Sequence, residues 1–134
     1  MGTIYVARSA KLAKWASDVG LSRNVFKLGY TEAPLKPVAA AGWAGETDWS
    51  VVKQEAAQDL DEAEIIARLE RKERMIDSAY YPRLKGAAGI FKVDPAHVEN
   101  HILVTRALAG EAERGEIKLK PADFAAYLIQ NARR

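Results

Sequence analysis

The sequence of 134 residues has no cysteine, only five prolines and no long apolar run. Without cysteine the chain cannot form disulfides, Cys-ligated zinc sites or iron–sulfur clusters, and it cannot use a thiol nucleophile. No apolar run reaches the roughly 18–20 residues that span a bilayer, which excludes a transmembrane helix. The first ten residues lack the basic stretch and long apolar segment of a secretory signal. We therefore expect a cytoplasmic protein that does not contact membranes.

Charge of one sign is not in large excess, since 20 Lys and Arg face 18 Asp and Glu. The charges are unevenly spread, however, because residues 65–92 carry seven basic and three acidic residues. The basic ones are Arg68, Arg71, Lys72, Arg74, Arg83, Lys85 and Lys92. Clustered cations on one surface attract phosphate backbones. The alternative is a solvated helix face on which glutamates and arginines alternate, and a pI near 8.9 does not decide between the two.

The apolar pattern predicts a small sheet. Short runs rich in β-branched and aromatic residues, some of them alternating with polar ones, mark four strands. They are residues 3–7, 24–30, 49–54 and 90–93. The first two lie close in sequence, and such strands usually pair antiparallel. The predicted fold class is α+β, with a mostly antiparallel sheet of three to four strands flanked by helices and with extra C-terminal helices.

Helix signals follow these strands. Asp61, with Glu64 three residues later, is typical of a capping box and predicts a helix over Asp61–Ser78. Asp94 before Pro95 is an N-cap followed by proline at the first helical position, and it predicts another helix. We expect three apolar residues of that helix to face inward. These are Val98, Ile102 and Leu108.

The end of the chain is predicted to be helical. Residues 116–120 alternate and form either a strand or an extended linker, and Pro121 opens a last helix with an apolar face. We divide the chain into a domain over residues 1–93 and a C-terminal helical extension over residues 94–134, packed on the same domain. Two amphipathic helices after a small domain can serve as a docking element. A homo-oligomer or a protein partner that binds through 94–134 is therefore one expectation.

Two short motifs lie on the first two predicted strands. The first is Thr3–Tyr5 (TIY), and the second is Lys27–Gly29 (KLG) followed by Tyr30–Thr31. They resemble the motifs of the GIY-YIG nuclease superfamily, most closely those of a branch found in phage and bacterial proteins whose second motif often begins with lysine. In that branch a third strand, a helix and a short segment with an aromatic and a hydrophobic residue follow. Their counterparts here are Trp49–Gln54, Asp61–Ser78 and Gly89–Val93, so the resemblance covers residues 3–93.

The resemblance implies metal-assisted phosphodiester cleavage, with DNA as the expected partner. In the family a first-motif tyrosine helps to activate a water molecule, and a second-motif tyrosine supports it. An arginine on the following helix steadies the phosphate, and a glutamate on a later helix binds Mg²⁺. Phosphoryl transfer needs charge neutralisation at the phosphate, and a carboxylate suits the hard Mg²⁺ ion.

Carried onto this chain, the resemblance places catalytic roles on three residues. Tyr5 stands at the first-motif tyrosine, whereas Lys27 stands where the second tyrosine would be. Lys36 is the only cation where the helical arginine should fall, and lysine offers a point charge rather than a bidentate fork. Tyr5 in an alternating strand is equally well explained as a packed strand residue, and Lys27 as a surface lysine.

The metal ligand depends on the alignment. One alignment puts Ile66 at the position of the glutamate, which would delete the ligand, whereas shifts of a turn put Glu64 or Glu70 there. Because two of the four catalytic parts are altered or ambiguous, we expect a degenerate member with weakened or lost cleavage. If it is active, it is a Mg²⁺-dependent endonuclease; otherwise no cofactor is expected.

Aromatic residues beside cations predict a nucleic-acid contact, because rings stack on bases while cations hold phosphates. The candidates are Tyr81, Arg83, Lys85 and Trp43, of which Trp43 lies in a glycine-flanked loop and is expected to be exposed. The alternative is a helix terminus whose tyrosines pack on the sheet. His97 and His101 lie four residues apart on one helix face, and we interpret them as surface or capping histidines.

Two hypotheses make opposite structural predictions. A nucleic-acid-associated domain predicts that Tyr5 and Lys27 share an open surface, close to Glu64 or Glu70 and to the loop of Arg83. A non-catalytic interaction module predicts exposed apolar area on the helix over Phe124–Leu128 and no salt-dependent affinity for nucleic acid. A fully active endonuclease additionally requires a carboxylate within reach of Tyr5.

Overall fold

The computed structural model describes residues 2–110 and 118–133. Within them the chain forms a five-stranded sheet in the order β3-β1-β2-β5-β4, and all neighbouring strands are antiparallel. The strands are β1 (Gly2–Ser9), β2 (Val25–Thr31), β3 (Trp49–Ala57), β4 (Arg74–Met75) and β5 (Ile90–Lys92). The predicted α+β class is confirmed, with one strand more than expected.

Five α-helices and a short 3-10 turn (Pro82–Leu84) accompany the sheet in the described ranges. The helices are α1 (Ala10–Asp18), α2 (Leu35–Ala41), α3 (Glu62–Glu70), α4 (Pro95–Leu108) and α5 (Pro121–Arg133). Ser9, Asp61 and Asp94 each accept a hydrogen bond from a backbone N–H of the first turn, as N-cap residues do. No helix in these ranges is long and apolar enough to cross a membrane.

The helix predicted over Asp61–Ser78 is wrong in its second half. Helix α3 ends at Glu70, and the chain then turns so that Arg74–Met75 pairs with β5. The backbone N–H of Ile76 continues this pairing by donating to the carbonyl of Ile90 at 2.8 Å. Hydrogen bonding along the free edge of β5 therefore replaces the helical bonds that residues 71–78 would have made.

The sheet buries apolar residues on both faces. On the first face α3, α4 and α5 cover side chains of β1, β2 and β5. These side chains are Ile4, Val6, Phe26, Leu28, Tyr30 and Phe91. On the second face α1, the 3-10 turn and the loop before β3 cover a smaller cluster. Its members include Ala7, Leu12, Val25, Trp49, Leu84 and Ile90.

The C-terminal helices differ in burial from what the apolar pattern indicated. Phe124, Tyr127 and Leu128 of α5 are buried in the main core, so the exposed apolar area expected there is absent from that helix. Leu108 was expected to face inward but is 85% exposed. Of the strand or linker expected over 116–120, residues 116 and 117 lie outside the described residues, and 118–120 form neither helix nor strand.

Candidate functional site

The two motifs meet on the second face of the sheet. Tyr5 of β1 lies directly opposite Gly29 of β2, and Lys27 lies two residues earlier in the same strand. Because side chains alternate along a strand, Tyr5 and Lys27 project from the same face. Antiparallel pairing of β1 with β2 therefore brings the first and second motifs together.

Gly29 is required by the close approach of the Tyr5 ring. A Cβ atom on Gly29 would collide with the Tyr5 hydroxyl, and it would lie 2.5 Å from Cζ of the same ring. The same point is 3.1 Å from Oε2 of Glu62. The absence of a side chain at Gly29 thus creates the space in which the Tyr5 phenol and the Glu62 carboxylate converge.

Glu62 is the carboxylate of this site, and the sequence analysis did not select it. It is the first residue of α3, and its Oε2 accepts a hydrogen bond from the backbone N–H of Tyr30 at 2.8 Å. That N–H is available because the β2–β5 pairing ends at Lys27. The signal that could have found Glu62 is helical spacing, since it lies four residues before Ile66 and so on the same helix face.

The two predicted metal ligands lie elsewhere. Glu64 and Glu70 are exposed on α3, and Glu64 forms an ion pair with Arg68 at 2.6 Å rather than closing a capping box. Ile66 faces the site instead: its Cδ1 lies 3.0 Å from the point that a Cβ on Gly89 would occupy. Of the three residues that the alternative alignments put at the glutamate position, Ile66 is therefore the one whose side chain lies beside Gly89.

Lys27 is buried inside the site. It is 4% exposed, and its ammonium donates to the carbonyl of Leu28 at 3.1 Å and lies 5.6 Å from the ring centroid of Trp43. Burial lowers the pKa of Lys27, while the nearby negative charge of Glu62 acts in the opposite direction. The interpretation of Lys27 as a surface strand lysine is therefore wrong.

Trp43 closes the site. Its ring stacks on Tyr5 with 5.6 Å between centroids and 21° between planes, and Trp49 packs edge-on against it at 5.3 Å. The Trp49 indole N–H also donates to the Trp43 carbonyl at 3.0 Å. Tyr5 is 2% exposed, and this burial, together with the charge of Glu62, raises the pKa of its hydroxyl. The expectations of an open surface at Tyr5 and of an exposed Trp43 are both wrong.

The predicted nucleic-acid loop holds the Trp43 turn in place. Arg83 donates to the carbonyl of Ala44 at 2.7 Å and forms an ion pair with Glu46, while its guanidinium lies 5.9 Å from the ring centroid of Trp15. Tyr81 packs edge-on against the same Trp15 ring at 5.6 Å. The donors of Arg83 are thus engaged within the chain.

The remaining predicted cations are on the surface. The Lys85 side chain lies against the Trp43 turn, with Cε 3.0 Å from the point that a Cβ on Gly45 would occupy. Lys36 is exposed on α2 and lines a shallow groove with Trp49 and Gln54. Within residues 2–110 and 118–133, no hydrogen bond or ion pair joins Lys36 to Tyr5 or Glu62.

The donors beside Tyr5 do not fit a hydrated Mg²⁺ ion. Glu62 is one carboxylate, and one of its oxygens already accepts the Tyr30 N–H. The Lys27 ammonium is buried close enough to interact electrostatically with Glu62, where it supplies positive charge of its own. Mg²⁺ in proteins retains several waters beside its carboxylates, and the packed Trp43 ring leaves little room for them. The described part of the chain has no group of three or more His, Asp or Glu residues arranged for a metal.

A second cluster of ionisable groups lies where α4 and α5 meet the end of α3. The Glu73 carboxylate, whose side chain is 2% exposed, accepts a hydrogen bond from the Tyr127 hydroxyl at 2.5 Å. It lies 2.6 Å from Nδ1 of His97 and accepts the backbone N–H of Asp94 at 3.0 Å. His97 is an exposed histidine, as interpreted, and it contacts a buried acid. His101 packs edge-on against the Tyr127 ring at 5.6 Å.

Comparison of the chain with protein-family models, with curated proteins and with solved structures finds no match. The resemblance to the GIY-YIG superfamily therefore rests on the motif residues of the sequence alone.

Proposed function

We propose that this chain is a cytoplasmic, nucleic-acid-associated domain that resembles GIY-YIG endonucleases and in which phosphodiester cleavage is weakened or lost. The observation that carries the proposal is the closure of the motif site. Tyr5 lies beneath the Trp43 ring, and the Lys27 ammonium occupies the space beside it.

Closure opposes cleavage for a geometric reason. A group that takes a proton from an attacking water must come within about 2.6–3.2 Å of it. Tyr5 meets no phosphate while Trp43 covers its ring and Glu62 faces it from α3. The raised pKa of the Tyr5 hydroxyl acts in the same direction, since it disfavours the phenolate. Glu62 supplies the carboxylate that an active endonuclease requires near Tyr5. However, Trp43 blocks the approach of a phosphate, and the groups beside Tyr5 do not fit a hydrated Mg²⁺ ion.

Surface cations support the nucleic-acid part of the proposal. Several basic residues of the stretch from 65 to 92 have no ion-pair partner among the residues that the structure describes. Unpaired cations on a folded surface attract phosphate backbones in a salt-dependent way.

The test is a binding and cleavage assay on one sample. Binding to a short double-stranded DNA, followed by fluorescence anisotropy from about 50 to 200 mM salt with Mg²⁺, should give a log–log slope near −3. Incubation with supercoiled plasmid and Mg²⁺ should give no nicking above that of the matched variant Tyr5→Phe. Nicking by the wild type that Tyr5→Phe abolishes would contradict the loss of cleavage. No binding at the lowest salt would contradict the nucleic-acid role.

A non-catalytic interaction or oligomerisation module is the second candidate. The observation that favours it is exposed apolar area on α4, where Val104 is 49% and Leu108 is 85% exposed. Light scattering on the same sample separates the two candidates. A dimer that Leu108→Asp dissociates, in a protein that does not bind DNA, would favour the interaction module.

A further inference from the structure

Four cations gather beside β4 and the start of α4. They are Arg71, Lys72, Arg74 and Lys92, which we call the basic strip. They line two adjoining surface cavities of about 400 and 660 Å³ that share Lys72 and His97. We propose that the basic strip is the surface that binds the phosphate backbone of a nucleic acid. This inference rests on the proposed function and moves the contact away from the Trp43 and Arg83 loops.

The fold divides the seven basic residues of the stretch into three groups, one of which is Lys85 alone, whose side chain lies against the Trp43 turn. Arg68 and Arg83 form ion pairs with Glu64 and Glu46, so their charges are neutralised within the chain. The four cations of the basic strip form no ion pair with any residue in 2–110 or 118–133. Folding thus places Lys92 beside the three unpaired cations at 71, 72 and 74, although it lies far from them in the sequence.

Two cations of the basic strip are forced together by the sheet. Arg74 of β4 and Lys92 of β5 are direct partners in the antiparallel ladder. Like charges placed opposite one another in a sheet are destabilising. A phosphate that binds between Arg74 and Lys92 would relieve this repulsion.

Three acids close to the basic strip already accept hydrogen bonds, whereas Glu70, next to Arg71, is exposed and forms no ion pair within the described residues. Glu73 accepts hydrogen bonds from the Tyr127 hydroxyl and the Asp94 N–H and contacts His97. Asp94 caps α4 through one carboxylate oxygen and places the other 3.7 Å from Nε2 of His97. Asp77, on the other side of β4, accepts the Ala79 N–H. These carboxylates are held by short-range contacts of their own, so they do not reach out to the four cations.

The form of the basic strip suits an extended polyanion. Its cations come from the end of α3, the turn after it, β4 and β5, so they follow the edge of the sheet rather than surround one point. A small phosphate would be held by converging donors, whereas a backbone is held by cations in a row. We therefore name the nucleic-acid backbone, rather than a free phosphate, as the ligand.

The deciding experiment compares two triple variants of equal net charge. The strip variant is Lys72→Gln/Arg74→Gln/Lys92→Gln, and the control is Lys11→Gln/Lys14→Gln/Lys120→Gln, whose lysines are exposed on α1 and just before α5. Anisotropy with the same double-stranded DNA should show at least tenfold weaker binding by the strip variant near 100 mM salt. The slope of log affinity against log salt should become shallower, from near −3 toward zero, because each phosphate contact contributes about one unit to its magnitude. The control should stay within about threefold of the wild type.

Three outcomes would overturn the inference. Equal loss in both variants would mean that net charge alone governs binding, and unchanged binding by the strip variant would place the contact elsewhere, with the proposed function intact. Displacement of the DNA by inorganic phosphate at matched ionic strength would identify a small-phosphate site instead. If the wild type itself fails to bind DNA at about 50 mM salt, the proposed function fails first.

A second measurement does not depend on the variants. Amide chemical shifts of the ¹⁵N-labelled wild type during DNA titration should move at residues 71–75 and 92–97. Shifts confined to the turn at Trp43 and Arg83 would contradict the inference.

Discussion

Two clusters of ionisable side chains in this protein contain the same kinds of group in different arrangements. Each has a tyrosine hydroxyl, a glutamate and a basic side chain. The motif cluster, on the second face of the sheet, joins Tyr5, Glu62 and Lys27. The Glu73 cluster, at the α4–α5 junction, joins Tyr127 and His97 to one carboxylate.

The two clusters differ in the hydrogen-bond partners of their side chains. In the Glu73 cluster the three side chains bond to one another, with Tyr127 and His97 both on Oε2 of the acid. In the motif cluster, Glu62 and Lys27 bond instead to the backbone of Tyr30 and Leu28. No hydrogen bond links the three motif side chains within the described residues.

The comparison teaches that side chains of the types found in a catalytic site can lie together without forming hydrogen bonds to one another. Buried polar groups that satisfy one another stabilise and rigidify a structure. The motif cluster is held by shape, through the space at Gly29 and the ring of Trp43, and burial of an ammonium there opposes stability. Removal of one charged group should therefore have opposite effects in the two clusters.

The largest expected effect is in the Glu73 cluster. Glu73→Gln removes the negative charge and one of the two acceptor oxygens, so a single oxygen cannot serve both the Tyr127–His97 side and the Asp94 N–H. We expect it to lower the free energy of unfolding by about 2 kcal/mol. Glu70→Gln is the control, because Glu70 is exposed at the end of the neighbouring helix. Urea denaturation of both variants measures the difference. Equal stability of Glu73→Gln and Glu70→Gln would show that the hydrogen bonds to Glu73 do not stabilise the fold.

The antiparallel sheet could be predicted because its main strands carry their own pattern. Phe26, Leu28 and Tyr30 alternate with residues of the other face, and this period gives both strand and buried side. Strand β4 could not be found in this way, since two residues are too short to show alternation. Its flanking residues, from Arg71 to Glu73, are good helix formers and extended the apparent helix.

The motif residues of the candidate site could be predicted from the sequence, but the residues that bury them could not. Sequence spacing placed Tyr5 and Lys27 on facing strands, but nothing in it showed that Trp43 would cover them. Glu62 was missed because its partner is the free backbone N–H of Tyr30, which exists only where β5 stops short of the end of β2. Local patterns report which residues are apolar, whereas coverage depends on contacts between distant segments.

The second effect should have the opposite sign. Lys27→Met replaces the buried ammonium with an apolar chain of similar length, and we expect it to raise the free energy of unfolding by about 1 kcal/mol at neutral pH. Because burial lowers the pKa of Lys27 in the folded chain, the gain should shrink as the pH approaches 10.5, the ordinary pKa of lysine.

Lys53→Met is the matched control for Lys27→Met. Lys53 also lies in a strand, but its side chain is 40% exposed, so the control should change stability by less than about 0.5 kcal/mol. Urea denaturation at pH 7 and pH 9.5 gives both comparisons. A loss of stability in Lys27→Met would show that the bond to the Leu28 carbonyl and the attraction of Glu62 outweigh burial.

The smallest effect is a pH dependence in the Glu73 cluster. The contact with Glu73 and the charge of Asp94 raise the pKa of His97 above its ordinary 6.5, against the opposing effect of burial. Arg71, Lys72, His101 and the Tyr127 hydroxyl line the same cavity as His97, and Arg74 and Lys92 line the adjoining one. A histidine whose pKa is raised on folding stabilises the folded chain fully below pH 6.5, and this contribution is lost as the pH rises through the folded pKa.

His97→Gln should therefore lower the Tm by about 2 °C at pH 5.5 and by less at pH 8.5, because a solvent-exposed ion pair contributes little. His101→Gln, one turn further along α4, is the control. Thermal unfolding followed by circular dichroism measures all three proteins. If the His97→Gln difference does not change with pH, then His97 bonds to Glu73 without a charge of its own. The Glu73 cluster would then be stabilised by its hydrogen bonds from Tyr127 and from the Asp94 N–H. In that case the two clusters would differ only in their hydrogen bonds, and no ion pair would distinguish them.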